Sequence, residues 1–113
     1  MKLAVVGSRT FNNYAFLEET LDHLGKIDLI ISGGAEGADT LAEQYAINRK
    51  IPTKIHWPDW EKYGKAAGPI RNADIIRDCD EVVAFWDGHS RGTQSSVKLA
   101  GEMGKPVCIV WKE

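Results

Sequence analysis

The sequence predicts an α/β fold: one domain over residues 1–113, built on a parallel five-stranded sheet in the order 3-2-1-4-5 with helices on both faces. Two observations carry this. The strand-like segments are continuous apolar runs, as expected of strands covered on both sides. They also alternate along the chain with segments of helical period, the pattern of βαβ units.

The elements follow in order. Lys2–Val6 is a short β-branched and apolar run ended by Gly7-Ser8. Tyr14–Leu24 carries Leu17, Leu21 and Leu24 at helical spacing, with Gly25 as a stop. Asp28–Ser32, DLIIS, is a second strand, broken by Gly33-Gly34. Ala38–Lys50 turns Leu41, Ala42, Tyr45 and Ala46 to one side of a helix. Thr53–His56 is a third strand, and Trp57–Gly68 reads as irregular. Pro69 suits the first turn of a helix running to about Asp78. Glu81–Trp86 is the fourth strand, Thr93–Met103 a helix stopped by Gly104, and Pro106–Trp111 the last strand. Right-handed crossovers leave 3-2-1-4-5 as the usual order for five such strands.

Composition narrows the function. Hydrophobic content of 43% and charged content of 27% are those of an ordinary globular domain. No apolar run is long enough to cross a membrane, and the N-terminus turns polar after Val6, unlike a signal peptide. The cytosol is the expected compartment. The net charge of −2 argues against a nucleic-acid partner, which calls for a basic excess. Cys79 and Cys108 form no C-x-x-C pair and are expected to be small, buried and reduced. The histidines His23, His56 and His89 are scattered, so neither a metal site nor a cofactor is expected.

Ligands of open α/β sheets bind beyond the carboxyl ends of the strands, where the strand order reverses. Here that point lies among strands 2, 1 and 4. The loops after them are Gly7-Ser-Arg-Thr-Phe11, Ser32-Gly-Gly-Ala-Glu-Gly-Ala-Asp39 and Asp87-Gly-His-Ser-Arg-Gly-Thr93, all rich in Gly and Ser. Glycine lets backbone N–H groups turn toward a ligand, and unpaired N–H groups at helix starts attract anions. Gly7, Ser8, Gly33, Gly34, Ala35, Gly37, Ser90, Gly92 and Thr93 are therefore candidate binding residues. Arg9, Arg71 and Arg91 bring guanidinium forks suited to phosphate. Asp39 offers a carboxylate for a ribose, although a first-turn acid is also explained by the helix dipole.

Several motifs fail. Neither G-x-x-x-x-G-K-[ST] nor G-x-G-x-x-G is present, and no acidic residue follows strand 2 as in ordinary NAD proteins. Gly88-x-Ser90-x-Gly92 mimics a nucleophile elbow, but no histidine follows His89 to activate Ser90. Trp57, Trp60 and Tyr63, in the irregular stretch, either stack on a base or anchor the loop or a dimer contact, whereas Trp86 and Trp111 are read as packing.

With these motifs in order, the chain resembles the YspA-like (cpYpsA-related) branch of the SLOG superfamily. The resemblance rests on Gly7–Phe11, Ser32–Asp39, Trp60-x-x-Tyr-Gly-x-x-Ala-Gly68 with Arg71-Asn72, Ala84–Gly88 and Ser90–Thr93. The superfamily includes the LOG phosphoribohydrolases and the DNA-processing protein DprA. The resemblance implies a Rossmann-like fold that binds or senses a nucleotide or nucleotide-derived ligand, ADP-ribose-like molecules among them, and a homodimer or higher homo-oligomer. The alternative is an N-glycoside hydrolase or transferase of the LOG kind. Against it, the catalytic Glu of the LOG motif P-G-G-x-G-T-x-x-E falls on Ser96. Asp87 is then the nearest candidate catalytic acid, and a turn residue before Gly88 is its other reading.

Overall fold

The computed structural model describes residues 1–111, the side chain of Trp111 excepted. Five strands, β1 (Lys2–Gly7), β2 (Leu29–Ser32), β3 (Thr53–Ile55), β4 (Glu81–Trp86) and β5 (Val107–Trp111), form one sheet in the order β3-β2-β1-β4-β5. Every pairing is parallel. This is the predicted α/β, Rossmann-like architecture. The helices are α1 (Tyr14–Asp22), α2 (Ala38–Arg49), α3 (Trp60–Tyr63), α4 (Ala67–Asp78) and α5 (Arg91–Glu102), with a 3-10 turn at Gly64–Ala66. Among the described residues no helix is long and apolar enough to cross a membrane.

The central position of β1 explains its composition. Leu3, Ala4, Val5 and Val6 are all buried, because α1 and α2 cover one face of the sheet and α4 and α5 the other. On the first face Leu3, Val5, Ile30, Val83 and Phe85 meet Leu17 and Leu21 of α1 and the small residues Ala38, Ala42 and Ala46 of α2. Those alanines recur every four residues and so share one side of the helix. On the second face Ala4, Val6, Ile31, Val82 and Ala84 meet Ile75 and Ile76 of α4 and Ala100 of α5.

Three local expectations are corrected. The stretch Trp57–Gly68 is not irregular throughout. Asp59 accepts from the Lys62 N–H through its side chain (3.1 Å) and from the Tyr63 N–H through its carbonyl (3.0 Å), which winds the one-turn α3. A single turn is too short for periodicity to reveal. Helix α5 begins at Arg91 rather than Thr93, because Ser90 is its N-cap and accepts from the Thr93 N–H at 3.4 Å. Cys79 is buried but Cys108 is exposed. Cys108 lies opposite Val83 on the α1/α2 face, in the edge strand β5, where these helices no longer cover the sheet.

Candidate functional site

At the carboxyl ends of β1, β2 and β4 the loops enclose a cleft of about 400 Å³. Ser8 joins its three sides. Its N–H donates to the Phe85 carbonyl at 3.0 Å, and its hydroxyl accepts from the Asp87 N–H at 3.2 Å. Its carbonyl accepts from the N–H groups of Phe11 (3.1 Å) and Ala38 (3.4 Å), the latter the first residue of α2. The start of α2 is thereby held against the loop after β1. Gly37 makes this approach feasible. Its φ is +80°, and a Cβ there would collide with the carbonyl oxygens of Ser8 and Arg9.

The loop after β2 folds around Asp39, which is only 8% exposed. Oδ2 of Asp39 accepts from the N–H groups of Gly33 and Ala35 at 3.1 and 3.2 Å. Burial still dominates and pushes its carboxyl up to about 6, against the two N–H bonds and the nearby Arg71 charge. Arg71, from α4, donates to the Gly33 carbonyl at 2.6 Å and through Nε to Asn72 Oδ1 at 3.0 Å. Burial holds its guanidinium below the ordinary value, and the like charge of Arg9 adds to that shift.

The loop after β4 is organised differently. Oδ1 of Asp87 accepts from the N–H groups of His89 (2.8 Å) and Ser90 (2.9 Å), and these bonds hold its carboxyl below the usual range. Trp86 donates its indole N–H to the Ser90 carbonyl at 3.0 Å, so this ring braces the loop. Ser90 Oγ also lies 3.1 Å from Thr93 Oγ1. The N-termini of α2 and α5 thus open on the same cleft, both bearing the partial positive charge of unpaired N–H groups.

Of the residues singled out from sequence, Gly7, Ser8, Arg9, Ala35, Asp39, Arg71, Asn72, Asp87, Ser90, Gly92 and Thr93 line this cleft. Gly33, Gly34 and Gly37 shape the loop behind it, and Arg91 is exposed at the start of α5. Trp57, Trp60 and Tyr63 lie outside the lining and are exposed. Sequence reasoning did not assign Val6, Thr10, Ile75 or Ser96 to the wall. Ser96 is buried. Its signal was its spacing, four residues after Gly92 on one helix face. His56 is engaged elsewhere, with Nε2 at 2.8 Å from Asp78 Oδ2.

A parallel sheet whose reversal point opens into a glycine-framed, arginine-bearing cleft defines a Rossmann-like protein. The model of the YspA, cpYpsA-related SLOG family matches residues 1–63. The Gene 61 protein of Mycobacterium phage D29 is 31% identical over 116 residues, covering 94% of this chain and 93% of that protein. The chain belongs to the YspA, cpYpsA-related SLOG family.

Solved structures share its fold. DNA processing protein A (DprA) from Streptococcus pneumoniae superposes with a TM-score of 0.83 at 23% identity, over 99% of this chain and 50% of that one. DprA from Helicobacter pylori, described for its single-stranded DNA binding mode, gives 0.75 at 23% identity, over 100% of this chain and 66% of that one. The chain therefore spans half to two-thirds of these proteins' length. A protein of this fold binds single-stranded DNA, which overturns the expectation that nucleic acid is not a partner. The net charge of −2 averages the whole surface, whereas a strand meets the local field of a cleft.

Proposed function

We propose that the chain binds a nucleotide or nucleotide-derived ligand, anchored by its phosphate in the cleft at the ends of β1, β2 and β4. One observation carries this reading: the arginines divide by location. Away from the cleft, Arg49 pairs with Asp22 and Glu18, and Arg77 with Asp74. Arg9 and Arg71 in the cleft and Arg91 beside it form no ion pair among the described residues. Arg71 feels the nearby Asp39 charge without forming an ion pair with it, so guanidinium groups gathered beside the N-termini of α2 and α5 remain suited to an external oxyanion.

Asp39 refines the ligand. Ionised, its carboxylate accepts from a ribose hydroxyl; protonated, it donates to a phosphate oxygen. An ADP-ribose-like molecule presents both groups, and single-stranded nucleic acid, as bound by Helicobacter pylori DprA, presents phosphate as well.

Thermal shift with pyrophosphate, AMP and ADP-ribose tests the proposal. A ligand present at a hundred times its Kd stabilises by about 2.7 kcal/mol. Wild type is expected to be stabilised by at least one of the three. Arg9→Ala, which removes an exposed side chain, should weaken the effect, and Arg71→Ala should abolish it. No shift with any of them sinks the reading.

A further inference from the structure

Beyond the cleft, we infer that Trp57, Trp60 and Tyr63 form a stacking platform for the bases of a single-stranded nucleic acid, an inference that rests on the phosphate reading above. These rings are 67%, 56% and 40% exposed, and they are clustered within seven residues. Their places are fixed. The six-membered ring of Trp57 covers Gly34 so closely that a Cβ there would meet it. Gly34 directly precedes Ala35 in the cleft wall. The Trp60 ring reaches to within 3.8 Å of a Cβ placed on Gly68, one helical turn before Arg71 and Asn72. Tyr63 ends the capped turn α3, with Lys62 Nζ 5.1 Å from its ring centre.

Trp57 and Trp60 are therefore tied beside the cleft wall through two separate glycine neighbours, while more than half of each residue's surface remains in water. Aromatic faces held this way stack on any base, which makes such platforms tolerant of sequence. Lys62 and Lys65 lie on this segment beside Asp59 and Glu61, and Arg9 and Arg71 line the cleft, so cations in both places are available to a strand's phosphates. A single nucleotide offers one base to three rings, whereas successive bases of a strand can occupy them together.

The experiment uses a labelled oligothymidylate of about a dozen nucleotides and pyrophosphate, followed by anisotropy and thermal shift. Wild type is expected to bind both. Trp57→Ala/Trp60→Ala, a change of exposed side chains, should weaken the oligonucleotide by about tenfold or more and leave pyrophosphate unchanged. Unchanged oligonucleotide affinity in that variant overturns the platform and leaves the cleft standing. The same result together with dissociation of a dimer in sedimentation assigns the rings to a second copy of the chain and likewise overturns it. Oligonucleotide binding lost in the tryptophan variant but kept in Arg71→Ala, with no pyrophosphate binding, overturns the cleft reading and places recognition in the rings alone.

Discussion

The loops after β2 and β4 each bring a carboxylate to the same cleft, and the two acids are shifted in opposite directions. Asp39 is enclosed, and burial outweighs the two N–H groups it accepts from. Asp87 sits at the rim, where two N–H bonds of comparable length decide the matter and keep it ionised. The donors are alike, so the difference comes from desolvation. Backbone N–H bonds favour the ionised form at both sites, and the net shift depends on whether desolvation outweighs them. The loop after β2 is the enclosed one, and the loop after β4 is the open one.

The largest expected effect follows from strain. Gly37→Ala places a Cβ at positive φ against the Ser8 and Arg9 carbonyls and should cost roughly 3 kcal/mol or more in urea unfolding. The corresponding change at the cleft's other helix start, Gly92→Ala in the first turn of α5, meets nothing within 4 Å and should stay within about 0.5 kcal/mol of wild type. Equal losses in the two variants would mean the loops do not differ in tightness.

Next comes the pH dependence of Asp39. The folded chain keeps this proton up to about pH 6, while the unfolded chain releases it near 3.8. Between those values the folded state binds more protons, so stability falls as pH rises through the window. The full deficit, about 3 kcal/mol, is present above pH 6. Asp39→Asn should remove most of this slope and be more stable than wild type at neutral pH, as read from melting curves across the range.

The smallest effect belongs to Asp87. Its folded value lies below 3.8, so its contribution is present above that pH and lost as pH falls through the folded value. Asp87→Ala should lower stability slightly at neutral pH, and wild type and variant should converge in acid.

Much of this was legible in advance. The apolar runs of β1, β2 and β4 and the intervening helices marked a parallel sheet, and the three Gly-Ser loops marked the end at which the cleft lies. The state of Asp39 was not legible. Locally it is an acid in the first turn of a helix, which the dipole explains. Its burial depends on Arg71 and Gly33, thirty-eight positions apart in the chain, meeting beside it. Nor did α3 announce itself, since one capped turn has no period. The exposure of Cys108 depends on which helices reach the sheet edge, and that is a property of the assembled layers.

Ser8 carries one further consequence. It binds the Phe85 carbonyl and the Asp87 N–H, and the latter contact spans 79 positions of sequence. Contacts so distant form late, because the intervening chain must be ordered before they are rewarded. During synthesis, the first half of the chain can emerge with both of its glycine loops and still lack a binding site. The cleft wall is whole only after Ser96 has arrived, so an assembled cleft reports that β4 has joined the sheet and α5 has started.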